Sequence, residues 1–272
     1  MTTTAEVTDL DVRPLERTLG GAVIGLDLHK ELDGRTVAGL RAALLERKVL
    51  VFPEAHLDPA EIERFARYLG EPFADPSYPY GSIPENPYVV ALGPSEPGHR
   101  PSSWHQGGTW KENPWFFELL QINVKPDVGG DTLWADLQAA YRDLSSPLRS
   151  YLGQLRAAHL RQVAEHDFLG PDAPTVDHPL ILTHPETGEK GLYLTSRITH
   201  LLGLPKAESE AVLAFLRSHA SHVNYQFRHR WTAGDLVVWD NRATWHYAVD
   251  DYGHDLRHGH KISIEGGDWR PA

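Results

Sequence analysis

The chain has 272 residues, 41% of them hydrophobic, enough to bury a substantial core, and it reads as one domain over 1–272. Its formal charge of −11, with no Lys/Arg-rich run, argues against nucleic acid or an anionic membrane as a partner. Cysteine is absent, which excludes disulfides, thiolate metal sites and a cysteine nucleophile.

The opening "MTTTAEVTDLDV" is too polar for a signal-peptide centre, and no run is long and apolar enough to span a bilayer. A soluble, cytoplasmic protein is the reading, with self-association left open. "GAVIGLDL" (21–28) alternates like a strand. In "GRTVAGLRAALLERK", Val37, Leu40, Leu44 and Leu45 recur at helical spacing, and the "VLVF" that follows reads as a buried strand. "DPAEIERFARYLG" is a helix signalled at both ends: Asp58 caps it, Pro59 suits its first turn, Glu61 completes a capping box and Gly70 closes it. Between 71 and 103, eight prolines break the periodicity. This segment reads as an active-site lid or as a solvated loop.

Strands dominate the remainder: "WFFELLQINVKP" (115–126), "AAHLRQVAEH" (157–166), a hairpin over 180–195 turning at Thr187–Gly188, "VNYQFRHRW" (223–231), "DLVVWD" (235–240) and "GHKISIEG" (259–266). Two helices interrupt them. One follows Asp136 through Leu137, Ala140, Tyr141 and Leu144; the other, "KAESEAVLAFLRSHA", carries Val212, Phe215 and Leu216 on one face. Many strands with peripheral helices indicate a mainly β, double-sheet jelly roll rather than a doubly wound sheet. No GxGxxG, GxSxG or P-loop sequence supports a phosphate cradle or a serine hydrolase.

Without thiols, a metal must sit on nitrogen or oxygen, and two of the sixteen histidines stand out. His105 in "WHQGGTW" and His246 in "TWHYA" each follow a tryptophan beside β-rich sequence. A "WH" pair alone is more often packing than ligation. Arg257 lies eleven residues beyond His246. On a β-roll, adjoining strands would put imidazole and guanidinium at opposite ends of one pocket, which suits a dicarboxylate held by a metal at one end and by arginine at the other. The alternative for Arg257 is a surface ion pair with Asp250, Asp251 or Asp255.

The stretches "GAVIGLDL", "KVLVFPEAHLDPAEIERFARYLGEP", "WHQGGTW", "VGGDTLWADLQAAYRDLS", "HPETGEKGLYL", "FRHRWTAGDLVVWDNRATWHYA" and "LRHGHKISIEG" together resemble the taurine dioxygenase-like family of iron(II)/2-oxoglutarate enzymes nearly end to end. The resemblance implies a double-stranded β-helix with iron at one mouth, and Fe(II), 2-oxoglutarate and O2 as cofactors. It implies His105 and His246 as metal ligands, Thr132 and Arg257 at the far carboxylate of 2-oxoglutarate, and Tyr78 and Lys261 beside the primary substrate. Lysine stands where sulfonate-using relatives have arginine, so an anionic small-molecule substrate is implied without the guanidinium fork.

One position departs from the family's pattern. The acid two residues after the first histidine is replaced by Gly107. Chloride on iron would conserve charge there, as in the radical halogenases of this enzyme class. The expectation is therefore oxidation of an unactivated C–H bond in a small organic acid or amino-acid-like molecule, ending in halogenation. A hydroxylase framework with an altered ligand set, and a non-catalytic binding protein, are the alternatives.

Overall fold

The computed structural model describes residues 10–74, 82–93, 102–160 and 175–267. In chain order the elements are β1 (Asp11–Pro14), β2 (Gly21–Ile24), α1 (Gly34–Arg47), β3 (Val49–Phe52), α2 (Pro59–Leu69), β4 (Pro72–Phe73), β5 (Ser82–Ile83), β6 (Asn86–Leu92), β7 (Phe117–Val124) and β8 (Thr132–Asp136). There follow α3 (Leu137–Arg142), α4 (Ser146–Leu152), β9 (Arg156–Leu160), β10 (Thr175–Pro179), β11 (Ile181–Thr183), β12 (Lys190–Leu192), β13 (Ile198–Leu201) and α5 (Lys206–Ala220). The last are β14 (Gln226–His229), β15 (Leu236–Asp240), β16 (Thr244–Ala248) and β17 (His258–Ile264).

Two sheets form the roll. The major sheet runs β1-β2-β3-β15-β7-β17-β6-β5, with β4 also paired to β17; the minor sheet runs β14-β8-β16. Among the described residues only β2 and β3 pair in parallel, unlike the parallel order of a doubly wound sheet. Strand alternation sorts the side chains into layers. Val49, Val51, Leu120, Ile122, Val237 and Trp239 of the major sheet meet Trp134 and Phe227 of the minor sheet in the layer between them. Leu50, Phe52, Phe117, Leu119, Leu236, Val238, Ile262 and Ile264 point the other way, under α1 and α2. The outer face of the minor sheet, with Ala135 and Trp245, packs on α3 and α5. By the same alternation Glu118 on β7, and Lys261 and Ser263 on β17, face the interior with Leu120 and Ile122. Glu118 stands opposite Ser263, and Leu120 opposite Lys261.

The helix over 59–69 follows its sequence signals. The Asp58 side chain accepts from the Glu61 backbone N–H (2.8 Å), and Glu61 accepts in return from the Asp58 N–H (2.9 Å). Several sequence expectations need correction. The 71–103 segment is not irregular throughout: its described part contains β4, β5 and β6, and β6 pairs with β17. Its described prolines, Pro72, Pro84 and Pro87, sit outside or near the ends of these strands, where a missing N–H costs little. On α5 the buried stripe is Ser209, Leu213, Leu216 and Ala220, whereas Phe215 is exposed. Residues 223–225 form a turn of 3-10 helix ahead of β14. Among the described residues, no helix is long and apolar enough to cross a membrane.

Candidate metal centre

His246 lies on β16 opposite Trp134, and its ring rests 4.9 Å from that of Trp239 between the sheets. His105 reaches the same place by pairing with it directly: its N–H donates to the His246 carbonyl (3.0 Å), and the His246 N–H donates back (2.8 Å). This two-way bridge places the imidazoles side by side, with ring centroids 4.1 Å apart. The preceding tryptophans point to the opposite side, where Trp104 and Trp245 stack at 5.0 Å. The stacked indoles back the two histidines on that side.

Both imidazoles are suited to ligation. Burial lowers the pKa of His105, against the Ser103 carbonyl and the Glu118 charge that raise it, with Lys261 and Arg197 lowering it further. Burial holds His246 well below the usual histidine range, helped by His105 and Lys261. Neutral rings are the form that binds metal. The Ser103 carbonyl lies 2.7 Å from Nδ1 of His105, which fixes that nitrogen as donor and leaves Nε2 for a cation. Nδ1 of His246 is buried without a hydrogen-bond partner.

The loop after His105 is tied to the turn between β15 and β16. Gln106 donates from Nε2 to the Asn241 carbonyl and accepts at Oε1 from the Leu194 N–H. Asn241 accepts at Oδ1 from the Gly107 N–H (3.2 Å) and from the Trp239 indole (3.1 Å). Asp240 takes the Arg242 guanidinium in a two-point pair and a His184 contact at 3.0 Å. Burial works to raise the Asp240 carboxyl, but Arg242 and His184 hold it far below the ordinary range. Both residues thus shape the turn ahead of His246.

Thr132 and Arg257 also meet. Arg257 donates from Nη2 to Thr132 Oγ1 (3.2 Å) and from Nε to the Gly130 carbonyl (2.9 Å). Arg257 thus touches the position with which the family resemblance pairs it. Thr132 is on β8, the strand that also pairs with β16 and so with His246. Tyr78 lies outside the described residues. Lys261 does reach the site, but its ammonium is in an ion pair with Glu118.

Glu118 is the residue that sequence reading missed. It is fully buried on β7, its Oε1 is shared by Lys261 and Ser263, and its Oε2 has no hydrogen-bond partner. A Cβ built on Gly107 would lie 2.2 Å from Glu118 Oε2, 2.6 Å from its Cδ and 2.8 Å from Oε1. The space beside Gly107 is thus filled by a carboxylate. A chloride there would share its place with a negative charge, so the geometry gives the halogenation expectation no support. The available signal was one acid inside the apolar run "WFFELLQINV", since a charge on a buried strand must find a partner.

The model of the "Taurine catabolism dioxygenase TauD, TfdA family" matches residues 11–262. The chain belongs to this family of iron(II)/2-oxoglutarate-dependent oxygenases. It is 36% identical to the alpha-ketoglutarate-dependent sulfate ester dioxygenase of Pseudomonas putida, over 98% of this chain and 93% of that protein. It is 33% identical to an alkylsulfatase of Acinetobacter baylyi, over 94% and 85%. A crystal structure of a taurine dioxygenase from Burkholderia xenovorans superposes with a TM-score of 0.85 at 34% identity, covering 96% of this chain and 92% of the other. None of these relatives is named for halogenation. In this TauD/TfdA chain the histidine pair offers two nitrogen donors, a type that suits ferrous iron, and Glu118 is the buried carboxylate whose charge is felt at His105.

Proposed function

We propose that the protein is an iron(II)/2-oxoglutarate-dependent dioxygenase that oxidises a small molecule carrying a sulfate or sulfonate group. The observation that carries this reading is the convergence of a half-buried and a buried imidazole on one backbone bridge, with the Thr132–Arg257 contact beside the neighbouring strand. His105 and His246 would hold the ion, and Arg257 with Thr132 would receive the distal carboxylate of 2-oxoglutarate as a charge-assisted pair. When bound by these residues, iron with 2-oxoglutarate and O2 would supply the oxidising chemistry: insertion of one oxygen atom into a substrate C–H bond, with succinate, carrying the other, and CO2 as co-products. On a sulfate ester, hydroxylation at the carbon bearing the ester oxygen gives an adduct that collapses to an aldehyde and sulfate.

The anionic substrate is supported by similarity to the sulfate ester dioxygenase and the alkylsulfatase, and by Arg197. Its guanidinium lies 4.7 Å from the centre of the Trp110 ring and its charge is felt at His105. Among the described residues no carboxylate pairs with it, and burial alone lowers its pKa. A half-buried cation of this kind is a natural seat for an oxyanion. Lys261 is already engaged by Glu118 and is the lesser candidate. Tyr78 keeps the substrate-side role that the family resemblance gives it.

The test is aerobic turnover with Fe(II), 2-oxoglutarate and a series of alkyl sulfates and sulfonates, measuring succinate and released sulfate or sulfite. Succinate and the sulfur oxyanion should form in equal amounts. Arg197→Ala should raise KM for the anionic substrate about tenfold or more, the scale of one lost charged hydrogen bond, with little change in the KM for 2-oxoglutarate. Absence of succinate with every sulfur oxyanion tried would remove the reading.

A further inference from the structure

Gly107 leaves the position of the family's acid without a side chain, and Glu118 delivers a carboxylate to the same place from another element. The two Glu118 oxygens lie 2.2 and 2.8 Å from where the Cβ of residue 107 would be. From ordinary bond lengths, an aspartate's own oxygens sit about 2.4 Å from its Cβ. The Glu118 carboxylate therefore overlaps the space that an aspartate at 107 would use for its carboxyl group. Oε2, the nearer oxygen, is buried and makes no hydrogen bond. Native proteins rarely leave a buried carboxylate oxygen so, and the exceptions call for an explanation such as a catalytic role or an absent ion.

We propose that Glu118 supplies the carboxylate ligand of the metal centre, replacing the acid that position 107 lacks. This role presupposes the iron site proposed above. Moving the acid from the 105–107 loop to β7 keeps one negative charge beside the two imidazoles, and completes the two-histidine, one-carboxylate set without halide. The exchange also explains why glycine stands at 107, because any Cβ there would collide with the incoming carboxylate. Lys261 and Ser263 hold Oε1 and leave Oε2 available. Among the described residues, no three His, Asp or Glu side chains stand close enough together to form a complete metal site. What remains is a movement of the Glu118 side chain, whose terminal torsion is soft.

The test reads metal binding rather than turnover. Anaerobic titration of the full chain with Co(II), a spectroscopic substitute for ferrous iron, gives an affinity and a visible d–d spectrum, each recorded with and without chloride. The wild type should bind Co(II) with a spectrum indifferent to chloride. Glu118→Gln should bind at least tenfold more weakly, given that losing even a group that only supports a ligand costs roughly 10- to 100-fold. The exchange variant Gly107→Asp/Glu118→Ala restores the family's arrangement and should recover affinity to within a few-fold of wild type.

The exchange variant also decides the matter if Glu118→Gln does not fold, as thermal melting would reveal, because its aspartate is placed to serve Lys261. Undiminished affinity in folded Glu118→Gln overturns the proposal. So does a folded exchange variant whose affinity lies far below that of the wild type. A wild type that takes up no Co(II) or Fe(II) overturns the metal site itself, and Glu118's role with it.

Discussion

At the scale of single residues, the site turns on the pair 107 and 118. Introducing Gly107→Asp alone puts a Cβ where the Glu118 carboxylate lies, so that buried, ion-paired side chain must shift, and it sets two carboxylates against each other. Overpacking of this kind costs about 1–3 kcal/mol, and like charges in contact add to it. Chemical denaturation of the metal-free protein should register that loss, and should show it largely relieved when Glu118 is also Ala. Simple additivity of the two substitutions would mean that the side chains do not share the space. The family resemblance, carried by runs such as "WHQGGTW", "GGDTLW" and "TWHYA", singled out His105, His246, Thr132 and Arg257, which the structure brings together as two contacting pairs. Glu118 was not singled out, since its meaning depends on which residues β7 and β17 place face to face, and that register is a property of the folded sheets.

At the scale of elements, the turn joining β15 to β16 aims His246. Arg242 closes it with three hydrogen bonds to Asp240 and one to Glu186, and its guanidinium covers Phe116 and Phe117. Removing one partner of a buried ion pair costs about 3–5 kcal/mol, because the other charge stays behind unpaired. Arg242→Met should lower unfolding free energy by that order in denaturant titration; a loss under 1 kcal/mol would show that the pair is not what holds the turn. Elements with local signals were readable: the α2 helix carries its cap, box and terminal glycine within a dozen residues. Elements decided by distant partners were not. β6, with Pro87 near its start, is a strand because β17 offers it a ladder, and the exposed Phe215 has the right spacing for a core that α5 turns toward Leu213 instead.

At the scale of the whole molecule, a second group of buried histidines sets the acid limit. Burial pushes His159 down to about 3 and His178 down to about 4, in an aromatic cluster with Tyr193. In the unfolded chain both return to about 6.5. Between those values the unfolded state binds protons that the folded state refuses. Stability is therefore fully present above about pH 6.5 and declines as pH falls, by up to ~1.4 kcal/mol per pH unit for each group. Denaturant midpoints between pH 7 and pH 5 should show this slope, and His159→Phe should reduce it by one proton's share; an unchanged slope would assign acid sensitivity elsewhere. The jelly roll itself was legible from its run of short strands, whereas the assignment of strands to two sheets emerges only from pairing. The reciprocal bridge between residues 105 and 246 has a further consequence. Two backbone hydrogen bonds of the protein itself join these distant halves, so the entropy lost in bringing 105 to 246 is met within folding.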